Sequence, residues 1–164
     1  MTALDPRVTA ALAALPHDAT VLPCDPELAD TAAFCAHYGY PLAQSANALL
    51  VRTKRGEPRF GVCIVLATHG VVNRTLRKLL GSSKVSFASA GDTIERTGMQ
   101  IGGVTPFGLP EDLPIYVDAA VLDCPWVIVG AGSRSAKLKV DPQALLALPS
   151  AEAVQGLATP RQER

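Results

Sequence analysis

The run Phe60-Gly61-Val62-Cys63-Ile64-Val65-Leu66-Ala67 constrains the fold more than any other stretch of this chain. It is continuously apolar, rich in β-branched residues and bounded by turn residues. It therefore predicts a strand buried on both faces in the middle of a sheet. A central strand needs neighbours, and the flanking sequence supplies them. Ala48 to Thr53 reads as a strand, and Lys54-Arg55-Gly56-Glu57-Pro58 reads as the polar turn joining the two. Further strands are predicted at Thr20–Leu22, Val85–Ala88, Ile115–Val121, Trp126–Val129 and Lys137–Val140. Several follow one another with no room for a crossover helix, so those neighbours must be antiparallel or cross-connected.

Helices are signalled by their caps. Asp5-Pro6 is an N-cap and first-turn pair for a helix to about Leu15, and Asp25-Pro26 repeats the signal for a helix ended by Gly39. Asn73 is expected to cap a basic helix, Arg74–Leu80, that stops at Gly81. Ser89 is expected to cap Gly91–Thr97, and Asp141-Pro142 to start a last helix to about Leu148. The resulting fold class is α+β, a mixed sheet or barrel with flanking helices in preference to a doubly wound fold. One domain is expected over residues 1–158, with residues 1–24 as an N-terminal helical extension and 159–164 as a loose polar tail.

Composition removes several function classes. At 164 residues and 48% hydrophobic, the chain has enough apolar material for one core. Fifteen basic and fifteen acidic residues cancel, so a nucleic-acid partner must be met by a local patch and not by net charge. Arg74, Arg77 and Lys78, three and four apart on one helical face, could form such a patch, although a solvated helix face is the simpler reading. Cys24, Cys35, Cys63 and Cys124 form no CxxC pair and follow no secretory leader, which reads as reduced thiols in a cytoplasmic protein, with Cys35 and Cys63 in the core. His17, His37 and His69 have no ligand-spaced partners, so no metal site is expected. No apolar run reaches a membrane span. The motifs GxGxxG, GxSxG and HExxH and the phosphate-binding loop are missing. Trp126 reads as core.

The segment Gly102-Gly103-Val104-Thr105-Pro106-Phe107-Gly108 carries the functional signal. Paired glycines let another group approach the backbone, Pro106 fixes φ, and Gly108 permits a turn that other residues would strain. Thr105 adds a hydroxyl. Alone, the segment is equally an ordinary Gly/Pro-rich loop.

With its neighbours it becomes more specific. Lys84-Val85-Ser86-Phe87-Ala88, then Glu95, then Ile101 to Gly108 resembles the YbaK family, aminoacyl-tRNA editing domains related to the domain inserted in bacterial prolyl-tRNA synthetases. Gln44 to Val51, the strand at Phe60–Thr68, the helix at Asn73–Leu80, Ile115 to Ala119 and Val127 to Arg134 fall in the family's order, so the likeness covers about Asp25 to Leu148. The resemblance implies a mixed, largely antiparallel, barrel-like sheet with flanking helices, and a trans-acting deacylase that hydrolyses the ester of a mischarged tRNA, with a small amino acid and with tRNA-Pro among the candidates, using no metal or organic cofactor. Mischarged aminoacyl-tRNA and an aminoacyl-tRNA synthetase are the implied partners. Backbone N–H groups of Gly102 and Gly103 would stabilise the oxyanion, Thr105 would bond substrate or water, and Asp118 would orient a water or hydroxyl, unless it simply caps a turn. Substrate contacts are expected from Pro106 and Gly108 and, in the turn after Val129, from Gly132, Ser133 and Arg134. Asn47 stands where the family has a functional lysine. Asparagine supplies hydrogen bonds but no cation, so Lys54 is one substitute, unless it is simply the solvent-facing lysine of a polar turn, and a binding or regulatory module without turnover is the alternative function.

Overall fold

The structure is a computed structural model and describes residues 4–100 and 102–161. Asp5 accepts a hydrogen bond from Arg7 N at 2.8 Å and caps α1 (Pro6–Ala13). β1 (Ala19–Pro23) follows. The start signal at Asp25-Pro26 yields one 3-10 turn, Pro26–Leu28. The chain then restarts at Asp30 as α2 (Thr31–Tyr38), which Gly39 stops in the left-handed region. Two helix-starting aspartates five residues apart thus make two short elements where a single helix was expected. β2 (Ala46–Thr53) and β3 (Phe60–Leu66) form the predicted hairpin, and β4 (His69–Val71) was not foreseen. α3 (Asn73–Leu80) takes Val72 as its N-cap, with Asn73 already inside the helix. β5 (Val85–Phe87) leads to α4 (Ala90–Thr97), whose Ser89 cap accepts from Asp92 N at 3.0 Å.

The strand expected over Ile115–Val121 divides into β6 (Ile115–Asp118) and one helical turn, α5 (Ala119–Leu122). β7 (Val127–Gly130), β8 (Ala136–Val140), α6 (Gln143–Leu146), β9 (Ala151–Val154) and β10 (Ala158–Pro160) complete the order. Thr159 and Pro160, expected to open a loose tail, pair with Gly70 and His69 of β4 instead. Buried Leu157 anchors that return. Residues 162–164 of the expected tail lie outside the described residues.

β3 is central, as its apolar run requires. The largest sheet runs β5-β2-β3-β6-β9, with β3·β6 and β6·β9 parallel. A three-stranded antiparallel sheet, β1-β8-β7, and the β10-β4 ribbon complete the set. The architecture is the expected mixed α+β, but the barrel does not close. β5 pairs with only Val51–Thr53 of β2, and Ala88 N reaches Leu50 O at 2.9 Å. At the other end one bridge, Ser45 to Ile128, joins the start of β2 to β7. Between these points the edge of β2 has no ladder partner among the described residues, and the seam gapes. The main core lies between the two larger sheets, with Ile64, Val117, Val129, Leu138 and Phe107 buried in it. Val8 of α1 belongs to this core and β1 pairs with β8, so α1 and β1 are woven into the fold and do not form an appendage. Trp126 packs against a smaller cluster around Phe34. All four cysteines are free, and burial pushes the Cys63 thiol up to about 12. No helix among the described residues is long and apolar enough to cross a membrane.

Candidate active site

The open seam is a cavity of about 440 Å³. Ser45 and Ala46–Leu50 of β2 form one wall, Asp30 and the start of α2 (Thr31, Ala32, Phe34) a second, and Ile128–Gly130 of β7 a third. Gly102, Val104 and Lys137 also line it. Phe87, Ala88 and Thr93 contribute further lining, as do Ala67 and Arg161 from beside the β4·β10 ribbon. The lining is mostly small and apolar, with few polar groups, which is how a site for a small organic group is built.

Two of the residues expected to do chemistry line this cavity. Asn47 is one, and its Oδ1 accepts a hydrogen bond from Thr31 Oγ1 at 2.5 Å. With Oδ1 taken, the amide offers its N–H donors. Gly102 is the other, and it presents its carbonyl to Lys137 Nζ at 3.1 Å.

Gly103 is differently employed. Its N–H donates to Gln100 O at 2.9 Å, and its carbonyl accepts from Gly132 N at 2.7 Å. A Cβ there would stand 2.8 Å from the Ser133 carbonyl carbon. The close approach that the Gly-Gly pair permits is made by the protein's own turn after β7, so the Gly103 N–H is spent inside the fold and is not offered to a ligand. Ile101 lies outside the described residues.

The remaining expected contacts support this packing from behind. Thr105 is fully buried, and its Oγ1 accepts from Phe107 N at 3.4 Å. Pro106 is buried beside it. Gly108 backs onto the Arg7 carbonyl and Gly132 onto the Val8 side chain. Ser133 Oγ stands 3.2 Å from Ser135 Oγ. Arg134 crosses to the α2 region, donating from Nε to Pro26 O at 3.2 Å and approaching Asp30 Oδ1 at 3.7 Å. None of these residues is a wall of the cavity.

Lys54 is exposed past the far end of β2, and its backbone N–H is held by Lys84 O at 2.9 Å. Seven residues of extended chain at roughly 3.3 Å each separate it from Asn47. It therefore does not replace a cation at that position. Arg74, Arg77 and Lys78 lie on α3, away from the cavity, with Leu76 and Leu80 buried in a separate apolar cluster with Val51, Cys63, Val65 and Tyr116. Asp118 is not a cavity wall either: it is buried at the end of β6, where Oδ1 accepts from Ala158 N at 3.3 Å.

Lys137 is the residue that sequence reasoning missed. In Ala136-Lys137-Leu138-Lys139-Val140 the apolar residues fill the main core and the lysines alternate to the other face, which reads as solvent-facing. Lys139 lies 4.6 Å from the Trp126 ring centroid. α2 covers Lys137, leaving it 6% exposed, with Nζ 5.9 Å from the Phe34 centroid. Burial pushes its ammonium below the ordinary lysine range. Cys24, Asp30 and Cys35 oppose that shift and Arg134 adds to it.

Residues 25–148 match the model of the aminoacyl-tRNA editing domain family. The chain belongs to that family. Two curated relatives align with it. The "Uncharacterized protein YwhH" of Bacillus subtilis (strain 168) is 30% identical over 107 residues, 65% of this chain and 66% of the relative. The "Putative Cys-tRNA(Pro)/Cys-tRNA(Cys) deacylase EbsC" of Enterococcus faecalis (strain ATCC 700802 / V583) is 29% identical over 87 residues, 53% of each. The chain thus spans between about half and two thirds of the length of these relatives. Among solved structures, a "putative trans-editing enzyme for prolyl tRNA synthetase" superimposes with a TM-score of 0.77 at 24% identity, covering 93% of this chain and 98% of the other. The "hypothetical protein APE2540" also gives 0.77, at 22% identity over 87% and 92%. At these identities the two structures speak for the fold. The editing domain thus provides an open seam between β2 and β7, with Asn47 on one wall and a buried lysine on another.

Proposed function

We propose that this editing domain acts in trans as an aminoacyl-tRNA deacylase, hydrolysing the ester that joins a small amino acid to the terminal ribose of a mischarged tRNA. The observation that carries the reading is the cavity itself, about 440 Å³, walled by Ala46, Ala48 and Ala67 and supplied with hydrogen-bonding groups at Asn47, Gly102 and Lys137. Water adds to the ester carbonyl carbon, and the carbonyl π pair moves onto oxygen. The tetrahedral intermediate then expels the ribose oxygen, which takes up the proton released by the water. The products are a free amino acid and an uncharged tRNA, with no redox change. The ester is intrinsically reactive, so placing water and stabilising the oxyanion accounts for the catalysis required. Discrimination falls to the shape of the walls, where one methylene is worth about 1–3 kcal/mol.

Outside the cavity, Phe87 on the rim is 59% exposed and offers a ring face to the terminal base. Arg74, Arg77 and Lys78 of α3 supply positive charge for backbone phosphates. A prolyl-tRNA synthetase is the candidate protein partner. The test is a panel of tRNAs charged with Ala, Ser, Thr and Cys, the last also suggested by the description of EbsC. Deacylation of one or a few of them at micromolar protein is the expected result. Binding of aminoacyl-tRNA with no deacylation above buffer replaces this reading with a binding or regulatory module, which the neutral Asn47 would suit.

A further inference from the structure

Lys137 is a buried cation facing a cavity, and its surroundings leave it short of negative charge. An ammonium has three N–H donors, and Gly102 O takes one of them at 3.1 Å. The Phe34 ring supplies a weak second contact at 5.9 Å. Lys137 forms no ion pair among the described residues. Asp30, the N-cap of α2 and the carboxylate whose charge acts on it, is engaged at 3.7 Å by Arg134. The other titratable groups around it are thiols, Cys24 after β1 and Cys35 on α2. Natural folds seldom leave a charge so placed without a counter-charge, because its desolvation is costly unless a partner offsets it. A cavity beside such a group is a place where negative charge is stabilised when it forms. A neutral ester gains little from the ammonium, whereas the oxyanion made from that ester gains much more, which is the difference that accelerates a reaction.

We propose that Lys137 is a catalytic residue that donates a hydrogen bond from its ammonium to the carbonyl oxygen of the bound ester and balances the oxyanion as water adds. The proposal rests on the deacylase reading above. Lys137 keeps its proton throughout. The carbonyl π pair becomes the oxyanion lone pair, returns to carbon as the C–O bond to the ribose breaks, and the departing oxygen takes the proton of the attacking water. Gly102 O holds Nζ in place, so the glycine loop acts through its carbonyl and not through the Gly103 N–H. Asn47, on the neighbouring wall, is left to orient substrate through its amide N–H.

The experiment compares the full chain with Lys137→Met and Lys137→Arg on the best substrate of the charged-tRNA panel. It also measures binding of a non-hydrolysable 3′-aminoacylamino-3′-deoxyadenosine and the melting temperature. Loss of one oxyanion donor corresponds to about 100- to 1000-fold in kcat, so Lys137→Met is expected to lose that much kcat. Its KM and analogue affinity should stay within about threefold and its melting temperature should not fall. Lys137→Arg should recover at least about tenfold over Met. In the wild type kcat should fall at alkaline pH, below the ordinary lysine value of 10.5, as the ammonium is lost. A Met variant that turns over within threefold of wild type overturns the proposal. So does a kcat loss matched by a lowered melting temperature and weakened analogue binding, which would make Lys137 a structural prop for Gly102. A wild type that deacylates nothing overturns the deacylase reading together with this step, whereas an active wild type with an equally active Met variant overturns this step alone.

Discussion

Asp118 shows how burial alone reassigns a residue. Its carboxylate ends β6 at 1% exposure, with Oδ1 held by Ala158 N and Oδ2 without a hydrogen-bond partner among the described residues. Burial pushes its pKa above the ordinary carboxylate range, against the backbone donors of Ala158, Leu157 and Ala119 and the neighbouring His69. A folded pKa above the unfolded one means that the native state favours the protonated acid. The contribution of Asp118 to stability is therefore fully present below the unfolded value and is lost as pH rises through the folded one. Asp118→Asn, neutral and of the same shape, keeps the acceptor for Ala158 N. It should melt above the wild type at pH 7, with the gap closing as the pH is lowered towards 4, in thermal melts over that range. Its kcat/KM should stay within about twofold, since the carboxylate is not part of the cavity. A stable Asp118→Asn that no longer turns over would return Asp118 to the role of orienting water.

Elements were legible wherever a local signal and the tertiary environment agreed. β3 is buried on both faces as its unbroken apolar run demands, and Gly39, Gly81 and Ser89 end or start helices where their chemistry places them. β9 and β10 were not legible, because Ala151–Val154 and Ala158–Pro160 have no apolar run, and their pairing comes from neighbours far along the chain. Lys137 was hidden by the period-2 rule itself: alternation says which face a residue takes, but not whether a helix covers that face. The glycine segment is a place of close approach, but the approaching backbone is the protein's own, which a sequence motif does not reveal. Gly130 makes the tightest such contact, since a Cβ there would stand 2.2 Å from Val104 O, with both groups in backbone. Neither can yield cheaply, so Gly130→Ala should destabilise by at least about 1–3 kcal/mol in urea unfolding. Gly91, in the first turn of α4, has only Ser89 Oγ at 3.8 Å, and Gly91→Ala should gain about 0.5 kcal/mol. Equal effects at the two sites would mean that the contact between the glycine loops is soft.

At the scale of the whole molecule, the site exists because the sheet system fails to close. β5 covers only the last residues of β2, β7 is hydrogen-bonded to the start of that strand by one bridge at Ser45, and the cavity occupies the seam left between them. Its walls are drawn from α2, β2, the loop at Gly102, β7 and β8, so no contiguous fragment contains them. The far end of the chain takes part as well. β10 pairs with β4, Arg161 N donates to Thr68 O at 3.0 Å, and Arg161 lines the cavity. A polar tail with a proline suggests by composition a segment that can be removed at no cost, but its pairing argues otherwise. Deleting the chain from Thr159 onward removes ladder bonds worth about 0.5–1.5 kcal/mol each net and takes a positive charge from the cavity. The truncated chain should fold, because Leu157 and the main core remain. It should unfold at lower urea, by about 1–3 kcal/mol in total, with KM for aminoacyl-tRNA raised more than kcat is lowered. Arg161→Ala in the full-length chain should reproduce the KM change without the loss of stability, which separates the charge from the strand. If truncation changes neither stability nor KM, the β4·β10 ribbon does not contribute to the site, and the cavity is completed by the two larger sheets alone.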